Sequence, residues 1–239
     1  MPGPAWLVLP TYNEAENVEE IVRAASAALG PAAPDGHRVL VVDDNSPDGT
    51  GAIADRLAAD MDAVEVLHRP GKAGLAQAYL AGFRRALEGG AGHVLEMDAD
   101  FSHDPADLPR LMAASGDADL VIGSRYVPGG GVTDWGPLRR LVSRGGCWYA
   151  QVVLSLAVRD LTGGFKCYRR EVLEAIDLPT VRSNGYAFQV ELTYRAARAG
   201  FRVAEVPIVF RDRRAGESKM TAGIAAEAAL LVPALRWRA

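Results

Sequence analysis

The sequence predicts an α/β domain, a mostly parallel sheet with helices on both faces, and three features of its first 125 residues predict it. Short, wholly apolar runs alternate with segments whose apolar residues recur at helical spacing. The runs lack the polar–apolar alternation of a half-exposed strand, so both of their faces are covered. Turn residues follow each run, which is the βα rhythm of a doubly wound sheet.

Trp6-Leu7-Val8-Leu9 is the first run and ends at Pro10. Thr11 or Asn13 is placed to cap the next helix, whose apolar face is Val18, Ile21, Val22, Ala25 and Leu29. Val39 to Val42 is the second strand, followed by the turn-rich Asp43-Asp44-Asn45-Ser46-Pro47-Asp48-Gly49 and a helix carrying Ile53 and Leu57. Val64 to Leu67 is the third, and Leu75, Tyr79, Phe83 and Leu87 mark the helix after it. His93 to Met97 and Leu120 to Ile122 are the fourth and fifth strands. Beyond Arg125 the rhythm breaks. A loop opens at Gly129-Gly130-Gly131, and a helix is expected over about 138–158, basic at its start and apolar later. Phe165 to Tyr168 reads as a strand, Tyr186 to Ala199 as a helix and Val203 to Phe210 as one strand. A polar loop runs through Lys219, and a last helix ends in Arg236-Trp237-Arg238. With no internal repeat or low-complexity linker, the expected organisation is one domain over residues 1–221 and an amphipathic helix over 222–239.

Length and composition narrow the function. The 239 residues suit one large α/β domain, and 49% apolar residues supply a sizeable core. A net charge of -4 argues against non-specific nucleic-acid binding. Cys147 and Cys167 stand without a CxxC or a nearby His, so they read as core thiols of a reducing compartment, not as a zinc site or a disulfide. No basic stretch precedes the first apolar run, so no secretory signal is visible. The charge-free stretch between Arg144 and Arg159 is shorter than the about 20 residues a bilayer span requires.

Ligands of doubly wound folds bind beyond the carboxyl ends of the strands. Three polar clusters fall there: Pro10-Thr11-Tyr12-Asn13-Glu14, Asp43-Asp44 and Asp98-Ala99-Asp100. No GxGxxG follows the first strand, so the dinucleotide fingerprint is absent. Carboxylates spaced by one small residue suit Mg²⁺ or Mn²⁺, which takes one or two carboxylates together with substrate phosphates. Such a metal neutralises a departing diphosphate, as transfer from a nucleotide sugar requires. Each cluster also has a plainer reading. An Asp-x-Asp is commonly a solvated turn. Asp43 and Asp44 can form an Asx turn and a cap, or accept a hydrogen bond from a base or ribose. Tyr12 is either a stacking platform or surface, and Glu14 can simply answer the helix dipole.

Basic residues gather in the other half, among them Arg125, Arg139, Arg140, Arg144, Arg211, Arg213 and Arg214. Arg140 and Arg144 share a helical face. Convergent arginines opposite an acidic site suggest two phosphates, one of the donor and one of the acceptor. The same residues also fit a solvated basic face, or a surface against anionic lipid.

Together these segments resemble a known family. Val8-Leu9-Pro10-Thr11-Tyr12-Asn13-Glu14, Val41 to Thr50, Asp98-Ala99-Asp100-Phe101-Ser102-His103 and Gly123-Ser124-Arg125-Tyr126 resemble the inverting glycosyltransferases of family 2. Leu161-Thr162-Gly163-Gly164-Phe165 and Gly216-Glu217-Ser218-Lys219 narrow the likeness to polyprenol (dolichol) phosphate mannose synthases. The resemblance implies the nucleotide-sugar-binding, Rossmann-like (GT-A) fold with C-terminal interfacial helices, the one near 138–158 among them. It implies transfer of mannose from GDP-mannose to a polyprenyl monophosphate, with inversion and with Mg²⁺ or Mn²⁺. Pro10, Tyr12, Glu14, Val42 and Asp44 would hold the guanosine part, and Asp98, Ala99 and Asp100 would line the diphosphate and metal. Arg125 would sit near the transferred sugar, and Arg213 and Lys219 would close over the donor from a lid at 211–219. Arg139 and Ser143 match acceptor-phosphate positions. The implied location is the cytoplasmic face of the cell membrane, peripheral, with the membrane surface or a membrane-embedded subunit as partner.

One position departs from the pattern. Where eukaryotic and archaeal relatives place a metal-binding Gln, this chain has Ser102, whose shorter hydroxyl can bind directly or through water. A phosphate monoester is already anionic near neutral pH, so a general base is optional; Glu191 is a candidate, against a plainer reading as a helix-surface carboxylate. Two other readings stay open: a UDP-glucose-dependent polyprenyl-phosphate glucosyltransferase, and a non-catalytic nucleotide-sugar-binding protein. Asp100→Ala is expected to abolish transfer while circular dichroism stays native; retained metal-dependent activity would contradict the role of Asp100.

Overall fold

The computed structural model describes residues 3–212 and 232–236. The apolar runs form β1 (Ala5–Thr11), β2 (His37–Asp43), β3 (Val64–His68), β4 (His93–Glu96) and β5 (Leu120–Ser124). Between them lie α1 (Val18–Leu29), α2 (Thr50–Asp60), α3 (Leu75–Glu88) and α4 (Leu108–Ala114). The second half adds β6 (Gly131–Val132), α5 (Pro137–Leu154), β7 (Lys166–Arg169), α6 (Arg170–Ala175), α7 (Gly185–Arg198), β8 (Val203–Pro207) and β9 (Val209–Phe210). The main sheet has the order β3-β2-β1-β4-β7-β5-β8. It is mostly parallel, as expected; β7 alone runs antiparallel, to both β4 and β5.

Strand side chains alternate between two cores, one on each face of the sheet. Trp6, Val8, Leu40 and Val42 pack with Tyr79 and Phe83 of α3. Leu7, Leu9, Val39 and Val41 pack with Val18, Ile21 and Leu29 of α1 and Leu57 of α2. Covering both faces is why the strands are apolar throughout. Side chains as fully buried as Ile21 or Leu29 each stabilise the fold by about 1.5–3 kcal/mol.

The folded chain departs from the expected elements at four places. Pro10 lies inside β1 and does not end it. Val8 O faces β4, where it accepts from Met97 N, and Thr11 O faces β2, where it accepts from Asp44 N. Pro10 therefore points to the β4 side, beyond the last β1–β4 pair at Val8, where no N–H is required. Neither Thr11 nor Asn13 caps α1, whose N-cap residue is Asn17. Asn13 takes a left-handed conformation, and its N–H donates to Ser46 Oγ (3.1 Å) while Glu14 N–H donates to Thr50 Oγ1 (2.9 Å). The loops after β1 and β2 are thereby joined. The expected 203–210 strand is two, because at Ile208 the chain leaves β5 for β6: Ile208 N–H donates to Ser124 O, and Ile208 O accepts from Gly131 N. The helix expected to 158 stops at Leu154, where Ser155 turns left-handed and Leu156 N–H donates back to Gln151 O, closing the helix end. Of the expected 222–239 helix, residues 232–236 are helical and the rest lie outside the described residues, as does the boundary at 221.

A buried ion pair fastens the antiparallel insertion. Lys166 of β7 stands opposite Glu96 of β4, with both side chains fully buried and Nζ 3.7 Å from Oε1. Lys166 Nζ also donates to Gln189 O (3.0 Å) and Gln189 Oε1 (2.6 Å) on α7. Burial outweighs the Glu96 charge and draws the Lys166 pKa down to about 8.

Close approach of α3 to the sheet depends on a glycine. A Cβ at Gly82 would lie 2.3 Å from Val8 Cγ1 and 3.1 Å from Val42 Cγ2. Gly82→Val is expected to destabilise the protein by at least about 2 kcal/mol, read as a lower urea midpoint with an unchanged m-value.

Candidate active site

Sheet order brings the polar strand ends together. β2, β1 and β4 are neighbours, so Thr11 lies beside Asp43, and the Asp98 segment emerges next to them. A cavity of about 390 Å³ opens beyond β4 and β5. Of the residues singled out from sequence it gathers Asp98, Asp100, Ser102, Arg125, Arg139 and Ser143. It does not include Pro10, Tyr12, Glu14, Val42, Asp44 or Ala99.

Those remaining residues sit in the fold as follows. Pro10, Val42 and Ala99 are buried. Asp43 is consumed by its turn, accepting from Ser46 Oγ (2.6 Å) and Thr11 Oγ1 (3.4 Å). Asp44 is ion-paired with Arg69, and Lys72 Nζ lies 4.0 Å above the Tyr12 ring. Glu14 Oε2 accepts from Asn17 Nδ2 (2.9 Å) at the start of α1.

At the acidic end, Asp98 accepts from the hydroxyl of Tyr79 (2.9 Å), a residue fully buried on α3. Burial, and then the Asp98 charge, keep that hydroxyl protonated far above the usual tyrosine range. Asp100 Oδ1 accepts from Ser102 N–H (3.0 Å). Ser102 Oγ and His103 Nδ1 are buried, line the same cavity and have no hydrogen-bond partner among the described residues. His103 is stacked on Phe165 and edge-on to Phe210, and burial lowers its pKa to about 4, so it is neutral.

Arg125 forms the opposite wall. Its Nε and Nη2 grip the two carboxylate oxygens of Asp160 at 2.7 and 2.6 Å, and Nη2 also donates to Thr162 Oγ1 at 2.8 Å. Arg125 N–H donates to Asp160 as well (2.9 Å). Burial alone would raise the Asp160 pKa; the guanidinium overrides it and holds the carboxyl below its ordinary range. Rings of Tyr126, Trp135 and Phe210 surround the guanidinium at 5.2–5.6 Å.

α5 closes the third side. Tyr126 O–H donates to Ser143 Oγ (2.6 Å), and Arg139 pairs with Asp212 (2.8 Å) and lies 4.2 Å over Trp135. The arginines do not all converge. Arg140 reaches Val132 O and Arg144 lies over the Tyr126 ring, both outside the cavity lining. Glu191 is neither at the cavity nor on the surface: it is buried, accepts from Ser183 N–H (3.2 Å) and pairs with Arg195. Its neighbour Val190 faces the cavity instead. Arg213, Lys219 and most of the 211–219 lid lie outside the described residues.

Sequence reasoning missed Asp160, Tyr79, Arg69 and Lys72. Asp160 directly precedes the Leu161–Phe165 motif, and an acid there was a usable signal. Its partner lies 35 residues upstream, a separation that only the fold closes.

With this geometry established, similarity decides the family. The description "Glycosyl transferase family 2" matches residues 6–177. The chain belongs to glycosyl transferase family 2. It is 50% identical over 230 residues to the undecaprenyl-phosphate mannosyltransferase of Micrococcus luteus, covering 96% of this chain and 92% of that protein. It is 54% identical over 218 residues to the polyprenol monophosphomannose synthase of Mycolicibacterium smegmatis, covering 90% and 80%. Among solved structures, glucosyl-3-phosphoglycerate synthase from Mycobacterium tuberculosis in complex with Mg²⁺ and uridine diphosphate aligns with a TM-score of 0.70 at 19% identity, over 97% of this chain and 79% of that one. Its complex with phosphoglyceric acid aligns at 0.69 and 18%, over 98% and 80%. These likenesses establish the GT-A fold. The chain is a glycosyltransferase.

The donor set suits a hard divalent cation. Among the described residues no three His, Cys, Asp or Glu cluster as a protein-only cage. Asp98 and Asp100 supply two carboxylates and Ser102 a buried hydroxyl, which matches an ion that completes its shell with phosphate oxygens. Asp160→Asn would leave Arg125 buried without its charge partner. It is expected to cost about 3–5 kcal/mol, measured by chemical denaturation, while Thr162→Val costs less.

Proposed function

We propose that this glycosyltransferase moves mannose from GDP-mannose to a polyprenyl (dolichyl-type) monophosphate, inverting the anomeric centre. One observation carries the reading: a single cavity is lined by the Asp98 and Asp100 carboxylates, by Arg139 and Ser143, and by apolar Val142, Tyr149 and Val190. The carboxylates suit a metal-bound diphosphate, Arg139 and Ser143 a phosphate nucleophile, and the apolar residues a lipid. The names of the two bacterial relatives, a mannosyltransferase and a monophosphomannose synthase, support the sugar and the acceptor.

In this reading Asp100, with Asp98 and Ser102 beside it, holds Mg²⁺ or Mn²⁺. The bound metal supplies Lewis-acid neutralisation of the departing diphosphate. Tyr12, Glu14, Asp44, and the Pro10 and Val42 segments, bind the guanosine. Arg139 and Ser143 orient the acceptor phosphate, which needs positioning more than deprotonation. Arg125, immobilised by Asp160, presents a fixed positive charge to the developing negative charge on the donor side. Arg213 and Lys219 retain the donor-closing role implied by the resemblance. No helix among the described residues is long and apolar enough to cross a membrane. Exposed Leu138, Leu141 and Trp148 on α5 suit peripheral attachment at the cytoplasmic membrane face, alone or against a membrane-embedded subunit.

The test offers labelled GDP-mannose and UDP-glucose in parallel with a short polyprenyl phosphate, with and without chelator. Mannose label is expected in the organic phase, lost on chelation and restored by Mg²⁺ or Mn²⁺. Transfer of glucose alone, or GDP-mannose binding with no turnover, would overturn the proposal.

A further inference from the structure

An apolar stripe runs along α5 with helical spacing: Leu138, Leu141, Gly145, Trp148 and Val152. Its four large side chains are exposed at 73, 70, 66 and 57%. At its midpoint stand two adjacent glycines, Gly145 and Gly146, in the interior of an 18-residue helix. Interior glycine weakens a helix relative to alanine, and packing does not demand it here. A Cβ at either position would meet nothing within 4 Å among the described residues. Both glycines are exposed and both line the cavity.

The cavity itself points to a ligand. Ser102 Oγ and His103 Nδ1, on side chains only 1 and 2% exposed, line it without a partner among the described residues. The same lining holds Arg139 and Ser143 together with apolar Val142, Tyr149 and Ala150, all on α5 with the glycine pair. A ligand matching this lining has an anionic group and a hydrocarbon part. Its hydrocarbon must leave somewhere, and the glycine pair is the low point of the α5 wall.

We propose that Gly145 and Gly146 form a saddle across which the isoprenoid chain of the acceptor leaves the cavity for the apolar stripe of α5. This rests on the acceptor proposed above and adds its exit route and the residues that gate it. The saddle accommodates the first isoprene unit, and the stripe then carries the chain toward the bilayer in which its remainder lies. Arg140 and Arg144, one helical turn apart beside the stripe, hold anionic headgroups at the same surface. Larger side chains at the saddle obstruct the lipid and leave the nucleotide side untouched, because neither glycine adjoins Tyr12 or Asp44.

The experiment uses the full chain in detergent and a farnesyl phosphate carrying a diazirine in its first isoprene unit. Irradiation followed by peptide mass spectrometry is expected to place adducts within residues 141–149. In parallel, Gly145→Leu and Gly146→Leu are expected to raise the KM for farnesyl phosphate at least tenfold with GDP-mannose affinity unchanged. Gly145→Ala is expected to raise the melting temperature and, in a smaller measure, the acceptor KM. Transfer by the wild type with adducts only elsewhere, or with none, overturns the saddle and leaves the acceptor assignment standing. Neither transfer nor adducts overturns the acceptor assignment and the saddle with it. A dimeric mass in detergent-free buffer with α5 free of adducts assigns the stripe to a second copy and also overturns the saddle. Should a leucine variant unfold, the adduct map decides.

Discussion

The buried pair of Arg125 and Asp160 fixes the geometry on which the site depends. Arg125 directly follows β5, and Asp160 lies in the loop between α5 and β7, so their contact ties the sheet to the element that walls the cavity. Two side-chain contacts and one backbone contact to the same carboxylate leave the guanidinium little freedom. Thr162 takes a further donor, and Cys147 of α5 packs its sulfur 3.3 Å from the same threonine hydroxyl. In the proposed reaction a charge placed in this way would need no reorganisation as negative charge develops nearby.

The second constraint is the antiparallel insertion of β7. A doubly wound sheet would set β4 beside β5, but β7 separates them, held by Lys166 against Glu96 and Gln189. Buried ion pairs contribute little net stability and are costly to break. Here the pair aligns three things at once: β4, which leads into Asp98; β7, preceded by the cavity-lining Gly163 and Gly164; and α7, which supplies Val190 to the wall. Sheet, loop and helix therefore meet at the cavity in a fixed register.

The residues proposed to bind the nucleotide belong to the first half of the chain and follow or end strands β1, β2 and β4. The residues proposed to bind the acceptor belong to the second half, on α5, beside the β6–β9 ribbon with its aromatic Phe210. Asp98 and Asp100 from the acidic first half and Arg125 and Arg139 from the basic second half line one cavity.

Periodicity determined the βα order, the two-sided burial of the strands and the position of the acidic strand ends, because these follow from local spacing and the short reach of βα units. It also located the Asp98–Asp100 segment, since a strand end is defined by where the apolar run stops. Tertiary structure alone decided the rest. Pairing of Arg125 with Asp160, the Tyr79–Asp98 bond and the place of β7 between β4 and β5 join residues 19 to 76 positions apart, and no local pattern encodes such closures. Glu191 shows the same limit in reverse: its helical position was legible, but which face of α7 it occupied depended on what packed against that helix. The cleft's acidic and basic residues were visible in the sequence. That some of them line a single cavity was decided only by the packing of α5 against the sheet.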